Sequence, residues 1–192
     1  RVGLFGVGFH KYWSQFEGVC EELVQTIAAL EAKLAKHQVE VVNFGLVDCA
    51  KAAYATRDRL LAENLDLIFC HIVTYATSAS FAIILRDVNI PIVPVALQPV
   101  AAMDYERATT RMELTHAVFC SVPELTGVAV RMGKQPPPVI LGTLHDDPIA
   151  EAELAEWCRI AHVLHDLKRA RIGHFGHPIE HMLDMQTDQT AL

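Results

Sequence analysis

Cysteine pairs of the CxxC kind are missing from this sequence. Its five cysteines (Cys20, Cys49, Cys70, Cys120 and Cys158) stand apart, mostly among apolar neighbours. That pattern fits buried thiols in a reducing, cytoplasmic setting and excludes a zinc site or a disulfide framework built from them. Runs of lysine and arginine are missing too. A net charge of −7, with no basic block interleaved with aromatics, excludes a nucleic-acid groove or an anionic membrane surface as partner. A charge-free run does exist, Leu67 to Leu85, but its middle reads Thr74-Tyr75-Ala76-Thr77-Ser78-Ala79-Ser80 with His71 just before it. A strand, a polar turn and a helix start explain it, so no membrane span is expected. There is no signal-peptide pattern, internal repeat or low-complexity segment. The chain opens on Arg1 and goes straight into Val2-Gly3-Leu4-Phe5, which suggests that an initiator segment has been lost.

What is present is a large reserve of apolar residues, 52% against 20% charged, enough for one well-filled domain of 192 residues. Short apolar runs alternate with long helical stretches. The expected strands are Val2–Val7, Glu40–Phe44, Asp66–His71, Ile90–Ala96, Pro138–Gly142 and Arg171–Phe175, several apolar on nearly every residue. Strands of that kind belong to a parallel sheet covered on both faces. Between them, Phe16–His37 carries Val19, Leu23, Ile27, Leu30 and Leu34 on one helical face. Asp48–Asn64 is a second helix with Asp48 as N-cap, and Ser78–Asn89 a third. A fourth stretch, about Tyr105 to Met132, is interrupted at Pro123, and Asp146-Asp147-Pro148 starts a last helix running to about Leu167. Pro91 and Pro94 put the fourth strand at an edge or leave it partly paired. The pattern predicts an α/β, flavodoxin-like, doubly wound parallel sheet of five strands in the order 2-1-3-4-5, filling residues 1–168. The sixth strand would then begin a second, incomplete α/β unit over residues 169–192.

Ligands of such a sheet bind at the carboxyl ends of the strands. The loops there are Gly6–Ser14, His71–Ser80, Leu97–Tyr105, Thr143–Asp147 and Gly176–Asp184. Gly6-Val7-Gly8 opens like a dinucleotide fingerprint, but Lys11 stands where a third glycine belongs and Asn43-Phe44-Gly45 where an acid should end the second strand. His10, Lys11, Tyr12, Trp13 and Gln15 crowd the first loop. Rings beside hydrogen-bonding groups suit a sugar, and they suit equally a loop seated against a partner subunit. Gln98 is a lone amide in a proline-bounded apolar loop, able to brace the loop or reach a ligand. His71 reads as a satisfied core histidine or as a ligand-facing group, and His162 and His165 as surface or packing residues. His174, His177, Glu180, His181 and Asp184 raise the question of a metal, yet Pro178 splits the His177/His181 pair and no third ligand is assured. No nucleophile elbow or Ser-His-Asp order supports hydrolysis.

The residues of these loops resemble the L-arabinose isomerase family, in particular its arabinose isomerase-like branch. The matching stretches are Val2–Gly8 with Tyr12–Gly18, Asp66–Phe69, Leu97–Glu106, Val122-Pro123-Glu124, Gly142-Thr143-Leu144 with Asp146-Asp147-Pro148, and Gly173–His177 with Met182–Met185. They cover the chain in one order, and Gln98-Pro99-Val100-Ala101-Ala102 and Asp146-Asp147-Pro148 are the most specific. The resemblance implies the N-terminal part of a metal-dependent aldose–ketose isomerase, usually with Mn2+, interconverting L-arabinose and L-ribulose in arabinose catabolism. It places the catalytic glutamates and metal ligands downstream of the matched region, so no catalytic or metal residue is assigned here and the chain alone is expected to be inactive. It also implies a homo-oligomer, trimer or hexamer, in which the first and fourth loops approach a neighbour's sugar site. The implied substrate-side residues are His10, Lys11, Tyr12, Trp13 and Gln98. The alternative is a non-catalytic flavodoxin-like module that binds a sugar or another small polar molecule.

Overall fold

The computed structural model describes residues 1–171 together with Gly173, His181 and Met182. Five strands, β1 (Val2–Val7), β2 (Val41–Val47), β3 (Leu67–Ile72), β4 (Ile92–Gln98) and β5 (Ile140–Thr143), pair in the order β2-β1-β3-β4-β5. Every pairing is parallel. This is the doubly wound, flavodoxin-like order, with its switch point between β1 and β3. The intervening helices are α1 (Val19–Ala35), α2 (Ala50–Ala62), α3 (Ser78–Asp87), α4 (Thr110–His116), α5 (Val118–Arg131) and α6 (Pro148–Leu167). Among the described residues no helix is long and apolar enough to cross a membrane. The expected sixth strand, and with it nearly all of residues 169–192, lies outside the described residues.

The strands read as continuous apolar runs because both sheet faces are covered. α2, α3 and α5 pack on one face through Ala53, Leu60, Phe81, Ile84, Val118, Leu125 and Ala129. α1 and α6 cover the other through Leu23, Ile27, Leu30, Leu154 and Cys158. Gly6 has its own reason to be glycine: a Cβ there would come within 2.3 Å of Ile27 Cδ1, in a helix face already buried against β1. Gly6→Ala is therefore expected to cost about 1.5 kcal/mol through overpacking, read as a lower urea midpoint at unchanged slope.

Three local expectations are corrected. α1 begins at Val19, after Gly18 in the left-handed region (φ 75°), because residues 9–16 are taken up by tight turns. Asp48 does not cap α2; Cys49 occupies that position with no side-chain cap. The break expected at Pro123 falls instead at Ala117, whose ψ of 26° separates α4 from α5, and Pro123 sits inside α5. The carbonyl that Pro123 leaves without a donor belongs to Phe119, a residue at the surface.

β4 is interior, between β3 and β5, so the edge placement fails and the partly paired reading holds. Backbone groups alternate between neighbours along a parallel strand. Pro91 O accepts from Ile68 of β3 at 2.9 Å, and Gln98 O accepts from Leu144 beyond β5 at 2.7 Å. Pro94 shares the parity of Gln98 and so faces β5, but β5 first pairs at Val95 with Ile140. The missing N–H thus points where no strand has yet begun.

At the opposite, amino edge the buried Asp66 holds the frame together. Its carboxylate accepts from the Arg1 nitrogen at 2.8 Å, from Lys168 Nζ at 2.9 Å and from His165 Nδ1 at 3.1 Å, the last two at the end of α6. The expectation of His165 as a packing residue is sharpened to a specific anchor.

Candidate functional site

The first carboxyl-edge loop is built on one tryptophan. Residues 10–12 make a single 3-10 turn, and Trp13 Nε1 donates to Asp48 Oδ2 at 2.6 Å. His10 adds its backbone N–H (3.2 Å) and Nδ1 (3.1 Å) to the Asp48 carbonyl. Phe9, Tyr12 and Trp13 meet edge to face at 5.3 and 6.4 Å between centroids. Asp48 is thereby spent on the loop, which explains why it does not cap α2. Trp13 is half-buried against the α1 side of the core, and its ring pins the loop there. His10 and Lys11 are exposed, and Tyr12 is half-exposed.

Tyr12 leans toward a second group. Tyr75, in the loop after β3, donates its phenol to Glu124 of α5, and the other oxygen of Glu124 accepts from Ser78 N at 3.3 Å, at the start of α3. The phenol of Tyr12 is raised by burial and then by the Glu124 charge; that of Tyr75 is raised first by its hydrogen bond to Glu124. The N-terminus of α3 is therefore already satisfied by an internal carboxylate. Ser121, fully buried one turn away, accepts from Ala76 N at 2.7 Å and locks the same loop onto α5.

Beyond β4 the chain makes a cleft of about 400 Å3, lined among others by Gln98, Met103, Tyr105, Glu113, His116 and Cys120. Gln98 braces and lines at once: its Nε2 donates to the His116 carbonyl at 3.0 Å. His116 Nδ1 stands 2.6 Å from the Met112 carbonyl, which can only accept, so the proton belongs on Nδ1 and Nε2 is the acceptor. The cleft offers an amide, a carboxylate, an imidazole and an aromatic ring. None of His10, Lys11, Tyr12 and Trp13 lines it; they stand on the other side of β3. Glu113, His116, Tyr75 and Glu124 have no local signature in the sequence and gain their positions only through the packing of α4 and α5.

His71 is buried but not satisfied. It is 1% exposed, its Nδ1 has no hydrogen-bond partner among the described residues, and burial pulls its pKa down to about 4. The loop after β5 is closed internally: Asp147 accepts from Ile149 N and Ala150 N at 3.0 Å and from Thr143 N at 2.9 Å, capping α6 as expected. The candidate metal residues His174, His177, Glu180 and Asp184 lie outside the described residues. Among the described residues no three His, Cys, Asp or Glu side chains converge as a cation site. That donor set does not fit Mn2+, and no chemical step is derived through it.

No family model matches the chain, and no curated protein does. Among solved structures it is similar to the rubredoxin oxygen:oxidoreductase (ROO) from the anaerobe Desulfovibrio gigas, at 12% identity and a TM-score of 0.42. The alignment covers 88% of this chain and 37% of that one. A likeness of that size carries no argument about function.

Proposed function

We propose that this chain is the N-terminal domain of a metal-dependent aldose–ketose isomerase of the L-arabinose to L-ribulose type, supplying sugar and subunit contacts while other residues perform the proton transfer. The observation that carries the reading is Gln98 in a cleft roomy enough for a pentose, at the carboxyl edge of a parallel sheet whose first loop separately carries Lys11 and Tyr12. Gln98, Glu113 and His116 provide hydrogen-bonding groups for hydroxyls, and the Tyr105 ring provides a face for C–H groups. Tyr105 is 83% exposed and Val100 is 45% exposed on the rim. Contact with a neighbouring subunit, in a trimer or hexamer, would cover them and bring its first loop to this cleft. Mn2+ would be held outside the described residues.

The second reading, a non-catalytic sugar-binding module, draws on the same cleft, where Gln98, Glu113, His116 and the Tyr105 ring stand together. Titration with L-arabinose, followed by NMR, tests what the two share. Shifts at Gln98 and Tyr105 with a Kd of about 1 mM are expected, and Gln98→Ala should weaken binding about tenfold. No shift at the cleft defeats both readings. With Mn2+ added, the chain should form no L-ribulose; turnover would overturn the assignment of the chemistry to other residues.

A further inference from the structure

A histidine set among apolar strand residues loses hydration at both ring nitrogens, and a native fold keeps such a group when it is bonded or used. His71, next to last in β3, is 1% exposed and has no partner at its buried Nδ1 among the described residues. It lines a small recess of about 20 Å3 with Glu22 and Thr26 of α1, Pro99 after β4 and Thr115 of α4. That is room for one water-sized group. The hydroxyls of Thr26 and Thr115 donate to the Leu23 and Met112 carbonyls, and both oxygens can still accept.

α4 divides this space from the larger cleft. Thr115 faces the inner space while Glu113 and His116 line the cleft, and Pro99 and Gln98 divide in the same way. The helix has seven residues and buries only Thr115. Arg111 ties it to Glu22 at 2.7 Å and to the Glu17 carbonyl at 3.0 Å, both on the surface. Thr74 Oγ1 donates to the Leu114 carbonyl at 2.7 Å, and Gln98 to that of His116. An element with so little buried surface belongs to the least stable part of a domain.

We propose that α4 is a hinged cover over His71, and that its displacement joins the inner space to the cleft and presents the imidazole to a hydroxyl of a neutral polyol. The ligand class follows from the lining: neutral imidazole both donates and accepts, as a hydroxyl does, and the Thr26 and Thr115 oxygens can accept. The ligand deepens the sugar-site reading and rests on it; the movement of α4 does not.

Carbethoxylation by diethyl pyrocarbonate, read at each histidine by mass spectrometry, tests both parts. His71 should react at least about tenfold more slowly than exposed His10 in the unaltered chain. Arg111→Ala removes the surface tie, and Thr109→Ala removes the cap that accepts from Met112 N at 3.2 Å. Each should speed the reaction at His71 about fivefold, with amide exchange in β3 unchanged. A His71 rate that follows β3 exchange, or that ignores both substitutions, overturns the cover. In Arg111→Ala, glycerol should slow the labelling of His71 and sodium acetate at equal concentration should not; equal protection, or none from glycerol, overturns the polyol assignment. Missing L-arabinose shifts at Gln98 beside intact, α4-dependent labelling would defeat the sugar-site reading alone.

Discussion

Trp13→Ala should lower the unfolding free energy by about 3 kcal/mol and erase any sugar response of the first loop. The indole fills the space beside Gly8, where a Cβ would already stand 3.3 Å from the ring, and its N–H bonds the Asp48 carboxylate at 2.6 Å. Removing it takes away both the packing and the group that orients residues 10–12. Trp13→Phe keeps most of the packing and should cost about 1 kcal/mol, the hydrogen bond alone. Urea denaturation of the two variants separates the contributions, and an unchanged midpoint in Trp13→Ala would show that the loop is pinned by something else.

Asp66→Ala should cost about as much, roughly 3 kcal/mol, because it leaves Lys168, His165 and the Arg1 nitrogen without their shared acceptor at the base of the sheet. The same carboxylate sets an acid limit. Burial by itself would raise its pKa, but hydrogen bonds from the Arg1 nitrogen and Lys168 more than offset that and bring it from 3.8 to about 2. A lowered carboxylate pKa gives stability that is present above the unfolded value and lost as the pH falls through the folded one. The loss belongs between about pH 5 and pH 2 and amounts to about 2 kcal/mol. His71 acts earlier. Its pKa falls from 6.5 to about 4, so the unfolded chain gains a proton first and stability declines as the pH drops through that interval. Thermal melts against pH should show both slopes, with Asp66→Ala abolishing only the lower one.

The strands and their order were legible because burial on two faces writes itself as an apolar run, as in Leu67–Ile72, and because a five-stranded βα alternation leaves few topologies. Asp147 was legible as a cap because proline follows it at once. Contacts between distant segments were not. Asp48 looks like a cap for α2 until the structure brings Trp13, 35 residues earlier, onto its carboxylate. The break at Ala117 carries no breaker residue, while Pro123 carries one and is tolerated. Of the expected substrate-side residues, Gln98 stands in a cleft, Trp13 is a pin, and His10, Lys11 and Tyr12 stand on a separate loop. Glu113 and His116 reach the cleft only because Gln98 and Thr74 hold α4 by its carbonyls.

The short β5 has a consequence for how these molecules behave in a crowd. Along Ile92–Pro94, the side of β4 that looks toward β5 has no strand beside it, and this gap at the sheet's amino edge is covered without one, since all three residues are buried. An open strand flank invites a foreign strand to add itself and start a chain of misassociated copies. Of the two residues that face the gap, Ile92 and Pro94, the proline offers no donor, and Pro136, Pro137 and Pro138 line it. Pro94→Val restores that donor while keeping the volume, and it should turn a harmless recess into the site where aggregation begins.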